Sequence, residues 1–340
     1  MTDINVENKR IESEMKKIAK SLFKEDQVDL LIGYTKGTVP FNISPIFIKR
    51  EDEIDNLIWN NLCYINLATY LTSPLNKVIN ETSKDLRVGI ISKGCVARSL
   101  IHLAKEKQVD LDNLKIIGIP CNGIINRQRI LKEIGEKEIL DILIKDNQIV
   151  VKGVDFQKTF PYKEYLNELC KTCQIKAPPF SEALADVILG ESQKEFEIDN
   201  NFSDLYEFES KNPDEKWEEI KDLLQNCTRC YACREACPLC YCALCFVDQN
   251  VPRWFNKTPE LSDIIIFHIV RALHLAGRCV GCGACSSACP MGIDLSIVNR
   301  KLEKIVKKRF DFMSGLNLET MPPMMTQSMK DQQEFMLEEE

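Results

Sequence analysis

Residues 227–238 read CTRCYACREACP and residues 279–290 read CVGCGACSSACP, the same C-x2-C-x2-C-x3-C-P pattern twice. Three cysteines two residues apart can curl their thiolates around three irons of a cubane, with backbone N–H groups turned toward the sulfides. The fourth cysteine follows a longer gap, is stiffened by proline and swings away from the loop. In chains with two clusters it ligates the other one. The pattern therefore assigns one [4Fe–4S] cluster to Cys227, Cys230, Cys233 and Cys289, and a second to Cys279, Cys282, Cys285 and Cys237. Zinc also uses closely spaced cysteines, but its motifs pair two C-x2-C units per metal rather than a triplet plus Cys-Pro.

The chain has 340 residues, enough for two or three domains with cores of their own. Its sixteen cysteines are not those of a small secreted disulfide scaffold: the chain opens MTDINVENKR, polar and charged, with no apolar run for export. The longest apolar stretch, Ile264 to Val270, is interrupted by His268 and ended by Arg271. That is far short of the roughly 20 residues a membrane span needs. The expectation is a cytoplasmic protein without a membrane span, whose cysteines are metal ligands. A net charge of −7 argues against nucleic acid, which needs a basic face, and suits acidic docking surfaces for other subunits.

Residues 1–190 read as one α/β domain. Asn5 to Lys24 is a charged helical stretch, Val28 to Thr35 a strand, and Ile54 to Leu71 has helical periodicity. Leu86 to Ser92 is a buried strand followed by a helix from Val96 to Glu106, and Leu114 to Cys121 is a second apolar strand. ILDILIKDNQIVVKG reads as a hairpin with Asp146 and Asn147 at its turn. Apolar strands alternating with helices predict a mostly parallel sheet covered by helices. Residues 191–215 read as an acidic linker: between Glu191 and Glu219 there are eleven acidic residues against three lysines. Residues 216–310 form a dicluster ferredoxin-type domain. The helical spacing of Leu261 to Gly277 between the motifs predicts a mainly α-helical one. Residues 311–340 are a methionine-rich acidic tail, readable as disorder or as a docking arm.

Eight cysteines remain. Cys95 and Cys121 end apolar strands, and ligands gather outside the carboxyl ends of strands in an open parallel sheet. A turn carrying Cys170 and Cys173 could fold over that edge and complete a four-thiolate site. Equally, Cys95 and Cys121 could be small buried residues, with Cys170 and Cys173 as free thiols. Cys63, Cys240, Cys242 and Cys245 are the last four. They read either as a fourth cluster with Cys63 as a distant ligand, or as small hydrophobes near the first cluster.

Residues 86–190 resemble the β subunits of deazaflavin-coenzyme-reducing hydrogenases and of formate dehydrogenases. The resemblance rests on GIPC, which ends at Cys121, and on Cys170 and Cys173 followed by ALADVILG at 183–190. It implies a third [4Fe–4S] cluster at Cys95, Cys121, Cys170 and Cys173, beside a flavin. It also implies partner subunits of a redox complex. A bound FAD is less well supported by the residues. The one glycine-bearing N-terminal stretch is YTKGTVPFN, Tyr34 to Asn42, and Gly33, Gly37 and Gly94 can each simply end a strand.

His102, His268 and His274 read as core or surface histidines, Arg98 as a solvated arginine, and Lys304 to Arg309 as a charged helix face or a dock for an acidic partner. Three functions fit. The first is an iron–sulfur electron-transfer subunit of an anaerobic oxidoreductase complex of formate dehydrogenase, hydrogenase or heterodisulfide-reductase type. The second is a flavin-containing subunit acting directly on a deazaflavin or nicotinamide coenzyme. The third is a zinc-bound scaffold.

Overall fold

The computed structural model describes residues 4–72, 86–179, 187–188 and 202–326. Of the 183–190 motif only Val187 and Ile188 lie within the described residues. Residues 191–201 of the acidic stretch and 327–340 of the tail lie outside them.

Helix α1 (Ile4–Lys24) buries Ile11, Met15, Ala19 and Leu22, a stripe at helical spacing. Strands β1 (Leu30–Lys36) and β2 (Ile43–Ile48) form an antiparallel hairpin with Leu31 opposite Ile48. Then come β3 (Val88–Ser92), α2 (Gly94–Lys105), β4 (Leu114–Gly118) and α3 (Arg127–Ile134). Strands β5 (Ile139–Lys145), β6 (Gln148–Gly153) and β7 (Gln157–Pro161) build a separate antiparallel sheet. Asp146 and Asn147 both take positive φ at the β5–β6 turn, as a two-residue hairpin loop requires. A short α4 (Glu168–Lys171) precedes β8 (Val187–Ile188).

The main sheet runs β2-β1-β3-β4-β8, and three of its four pairings are parallel, with β2 the antiparallel edge. The carboxyl ends of β3 and β4 point the same way and lead directly to Cys95 and Cys121.

Ile54 to Leu71 is not a helix. It forms two 3-10 turns, Glu51–Asn56 and Leu67–Leu71, joined by irregular chain. The asparagines explain the difference, since their side chains compete with helical backbone bonds. Asn60 Oδ1 accepts from Leu62 N and Asn66 Oδ1 from Ala68 N. Buried Asn61 donates to Gly123 O at 2.8 Å and to the Tyr162 hydroxyl at 2.8 Å, and accepts from Asn8 Nδ2 at 2.7 Å. The apolar periodicity is real, but Ile54, Leu57, Leu67, Ala68 and Leu71 reach the core without a continuous helix.

From residue 202 onward the described chain is helical: α5 (Tyr206–Ser210), α6 (Pro213–Leu224), α7 (Ala232–Glu235), α8 (Leu261–His274), α9 (Ala284–Ala288) and α10 (Ser296–Phe310). Asn212 and Glu215 make a reciprocal capping box at the start of α6, with Pro213 at the first helical position. The acidic segment before α6 folds onto α10. Asp204 pairs with Arg300 at 2.9 Å and Glu209 with Lys301 at 2.6 Å and with Lys304, while Phe202 and Leu205 are buried. Part of the basic run at 304–309 is thus engaged by acidic residues of the same chain.

The helical half does not stand apart from the sheet. Leu239, Leu275 and Val280 belong to the same buried core as Leu31, Ile90 and Ile117. Glu106, the residue following α2, receives both Nε and Nη2 of Arg278, at 2.7 and 2.8 Å, and the Tyr241 hydroxyl at 2.5 Å. Arg98 is buried rather than solvated and donates to Val280 O and Ser314 O at 2.8 and 2.9 Å. The chain after α10 continues along α2: Ser314 Oγ lies 3.0 Å from His102 Nδ1, and Lys105 donates to Thr320 O. Gly315, at φ +72°, passes so close to Arg98 that a Cβ there would sit 2.1 Å from its carbonyl oxygen. Among the described residues, no helix is long and apolar enough to cross a membrane.

Candidate metal centres

The two motifs have the same backbone. Arg229 and Tyr231 in the first, and Gly281 and Gly283 at the equivalent places in the second, all take left-handed φ of 53–70°. These turns wrap each loop back on its first cysteine, so that Arg229 N donates to Cys227 Sγ and Gly281 N to Cys279 Sγ, both at 3.4 Å. Each loop runs into a short helix, α7 or α9, and the two helices pack against each other.

A cavity opens at the first loop. Its walls include Cys227, Cys230 and Cys233, and also Cys289 from the second motif. Four thiols thus line one space, three from one motif and the fourth from the other. Their mutual repulsion as thiolates agrees. Burial pushes Cys233 up to about 12, with Cys285, Cys227 and Cys289 adding to the rise. Cys227 is raised by burial and by Cys289 and Cys230. Cys230 is exposed and Cys233 buried, so the site has an open side and a closed one.

The second set is deeper. Burial, then Cys282, Cys237 and Cys285, raise Cys279. Cys285 is pushed up to about 11 by burial, with Cys282 and Cys237 contributing. Cys237 therefore stands with the cysteines of the other motif, mirroring Cys289. A thiol raised in this way stays neutral alone, and the positive core of a bound cluster is what would make four thiolates tolerable. Among the described residues, no three Cys, His, Asp or Glu side chains are grouped so as to hold a single metal ion. A lone zinc ion needs its thiolates about 2.3 Å from one point.

The third group sits at the carboxyl edge of the main sheet. The 173–177 segment crosses the start of α2, where a Cβ on Gly94 would lie 2.4 Å from Ile175 O. Cys121 N donates to Lys176 O at 2.8 Å. This strap brings the Cys170–Cys173 turn to Cys95 and Cys121. Burial pushes Cys170 up to about 12, with Cys121 and Cys173 adding. Cys95 is raised by burial and by Cys282, Cys121 and Cys173. Cys282 of the second set is thus among the groups that raise Cys95.

Relatives of this chain include two beta subunits of formate dehydrogenases. A beta subunit of F420-dependent formate dehydrogenase from Methanocaldococcus jannaschii is 22% identical, covering 90% of this chain and 92% of its own. The beta subunit of F420-dependent formate dehydrogenase 1 from Methanococcus maripaludis is also 22% identical, covering 89% and 90%. The chain resembles formate dehydrogenase β subunits over nine-tenths of its length. A solved structure of the F420-reducing [NiFe] hydrogenase complex from Methanosarcina barkeri, derivatised with xenon, aligns with 65% of this chain and 90% of its own, at 12% identity and a TM-score of 0.37. No family model matches.

The last four cysteines occupy different surroundings. Cys63 is fully buried in the first core, pushed up to about 12 by burial, with Cys121 and Lys93 among its charged neighbours. Cys240 shares a hydrogen bond with Cys237, which lowers it. Cys242 is exposed, and Cys245 packs against the core around α8. The Tyr34–Asn42 stretch comprises the end of β1 and its connection to β2, where Gly37 N donates to Asn42 O at 2.9 Å.

Three charged or basic residues beside the thiols had no signal in the sequence beyond their type. Lys93 is fully buried at the end of β3, donating to Cys63 O with Tyr34 beneath its ammonium group. His268 Nε2 lies 3.3 Å from Cys227 Sγ, and burial, with Arg271 and Arg229, lowers it to about 4, so the ring is neutral. Arg271, one turn further along α8, is 5% exposed. On a helix as apolar as α8, a histidine and an arginine read from sequence as interruptions of a core face.

Proposed function

We propose that this chain is the electron-relaying subunit of a formate-dehydrogenase-type oxidoreductase complex, holding three [4Fe–4S] clusters in a row. The observation that carries the reading is the exchange of fourth ligands, Cys289 lining the space of the first motif and Cys237 standing with the second. Clusters held there would accept and pass on single electrons. The residues of the chain do the rest. Left-handed turns aim backbone N–H groups at sulfur, apolar walls exclude water, and Cys95 links the sheet-edge group to the paired motifs. Cys63, Cys240, Cys242 and Cys245 are spread over separate surroundings, and we build no fourth cluster on them.

The test is iron and acid-labile sulfide measured per chain after anaerobic purification. About twelve irons are expected, and fewer than about eight would overturn the reading. Cys289→Ser should remove about four of them while leaving the sheet-edge cluster, seen as loss of one EPR signal.

The relatives are named F420-dependent, which favours a second reading: a flavin-containing subunit that itself exchanges electrons with a deazaflavin or nicotinamide coenzyme. Flavin quantified in the same preparation decides it. Flavin bleached on adding the reduced coenzyme supports this reading, and flavin-free, iron-replete protein excludes it.

A further inference from the structure

Helix α8 joins the two cysteine motifs in sequence and also lies against both in space. Arg271 is on its buried side, 5% exposed. One of its nitrogens, Nη2, donates to the carbonyl of Cys233 at 3.0 Å, in the first motif. Its Nε is buried with no hydrogen-bond partner among the described residues. Cys233 and Cys285, one from each motif, pack in the same buried cluster as Ile264, Ile265 and Phe267 of α8. Burial works against the guanidinium charge, while thiols favour it: Cys237 and Cys240, then Cys285 and Cys233. Those four include members of both cluster sets. A buried guanidinium is costly unless paired, and ion pairs in a dry interior act at greater strength than in water. Here the partners can be anionic only when the cysteines are thiolates, as cluster ligation makes them.

We propose that Arg271 is the common counter-ion of the two clusters bound by the paired motifs, raising both reduction potentials together without itself reacting. This inference rests on the cluster reading given above. Reduction adds one electron to a site already made negative by four thiolates. A fixed positive charge beside it favours the reduced form, and local charge is among the levers that set such potentials. Because one guanidinium faces both sets, the two potentials shift in the same direction when its charge is removed.

The experiment is an EPR-monitored redox titration of the anaerobically purified full chain, with iron counted in the same samples. Arg271→Gln is expected to keep its iron and to move both midpoint potentials to more negative values. Arg271→Lys retains a charge and is expected to hold both close to the wild type. Unchanged potentials in an iron-replete Gln variant overturn the proposal, as does a shift confined to one cluster. Should the Gln variant lose iron, the Lys variant decides: iron and potentials retained support the counter-ion role, whereas iron lost there too makes Arg271 a packing residue and overturns it. Iron-poor wild-type protein would instead sink the cluster assignment itself, a separate outcome read before any variant.

Discussion

Gly94 is where a single hydrogen atom decides whether the sheet-edge thiols can meet. Any larger side chain pushes on the Ile175 and Ala177 carbonyls, 2.4 and 3.1 Å from the would-be Cβ, and so on the strap that carries Cys173. On the proposed three-cluster reading, Gly94→Ala is expected to cost the sheet-edge cluster and spare the other two. Iron per chain should fall by about a third, and iron unchanged from the wild type would refute the strap's role. At this scale the proposed ligands are chosen by their spacing in sequence, whereas their companions carry no such signal. The eight motif cysteines announce themselves by spacing, because cubane geometry dictates it. Lys93, His268 and Arg271 matter through the depth at which tertiary packing leaves them, and no periodicity encodes depth for a lone charge.

Among the elements, α2 and the segment 275–280 are fastened by Glu106 and Arg278, both nearly buried. Burial alone would raise Glu106, but His102 Nε2 at 3.2 Å and hydrogen bonds from Arg278 and Tyr241 bring it down to about 2, against an ordinary 4.5. A depressed carboxyl stabilises the fold in full above its unfolded value. Stability from this contact should therefore be complete above about pH 4.5 and fade as the pH falls toward 2. Glu106→Gln leaves the Arg278 charge unpaired and should cost about 3 kcal/mol in chemical denaturation at neutral pH. The variant should also lose the acid-dependent part of the wild-type profile; a profile that stays parallel to wild type would refute the assignment. Helices and strands with clean patterns, such as α1, β3, β4 and the β5–β6 hairpin, were readable from sequence within a few residues. The 54–71 stretch was not, because asparagine side chains satisfy its backbone locally while its apolar residues keep a helical rhythm.

Among the described residues, the sheet and helical halves share one buried core. Leu239, Leu275 and Val280 share one core with the strands, Arg98 and Ser314 join the chain after α10 to α2, and Cys282 is among the groups that raise Cys95. Composition marks the acidic stretch between the halves but carries no signal for the apolar surfaces the two halves bury against each other. The expectation is that tryptophan fluorescence and far-UV circular dichroism lose the sheet and helical halves in one coincident transition on denaturation. Two well-separated transitions would contradict the shared core.

Cys230 is exposed, whereas Cys285 and Cys233 are buried. Thiolate chemistry with oxidants follows access as well as ionisation. If the clusters are held as proposed, damage by air should proceed inward as a front, stripping the centre at Cys230 before the deeper one at Cys285. On the proposed three-cluster reading, a brief, timed oxygen exposure would yield chains cut off from outside electron traffic at one end only, their inner centres still reducible by a small diffusible donor.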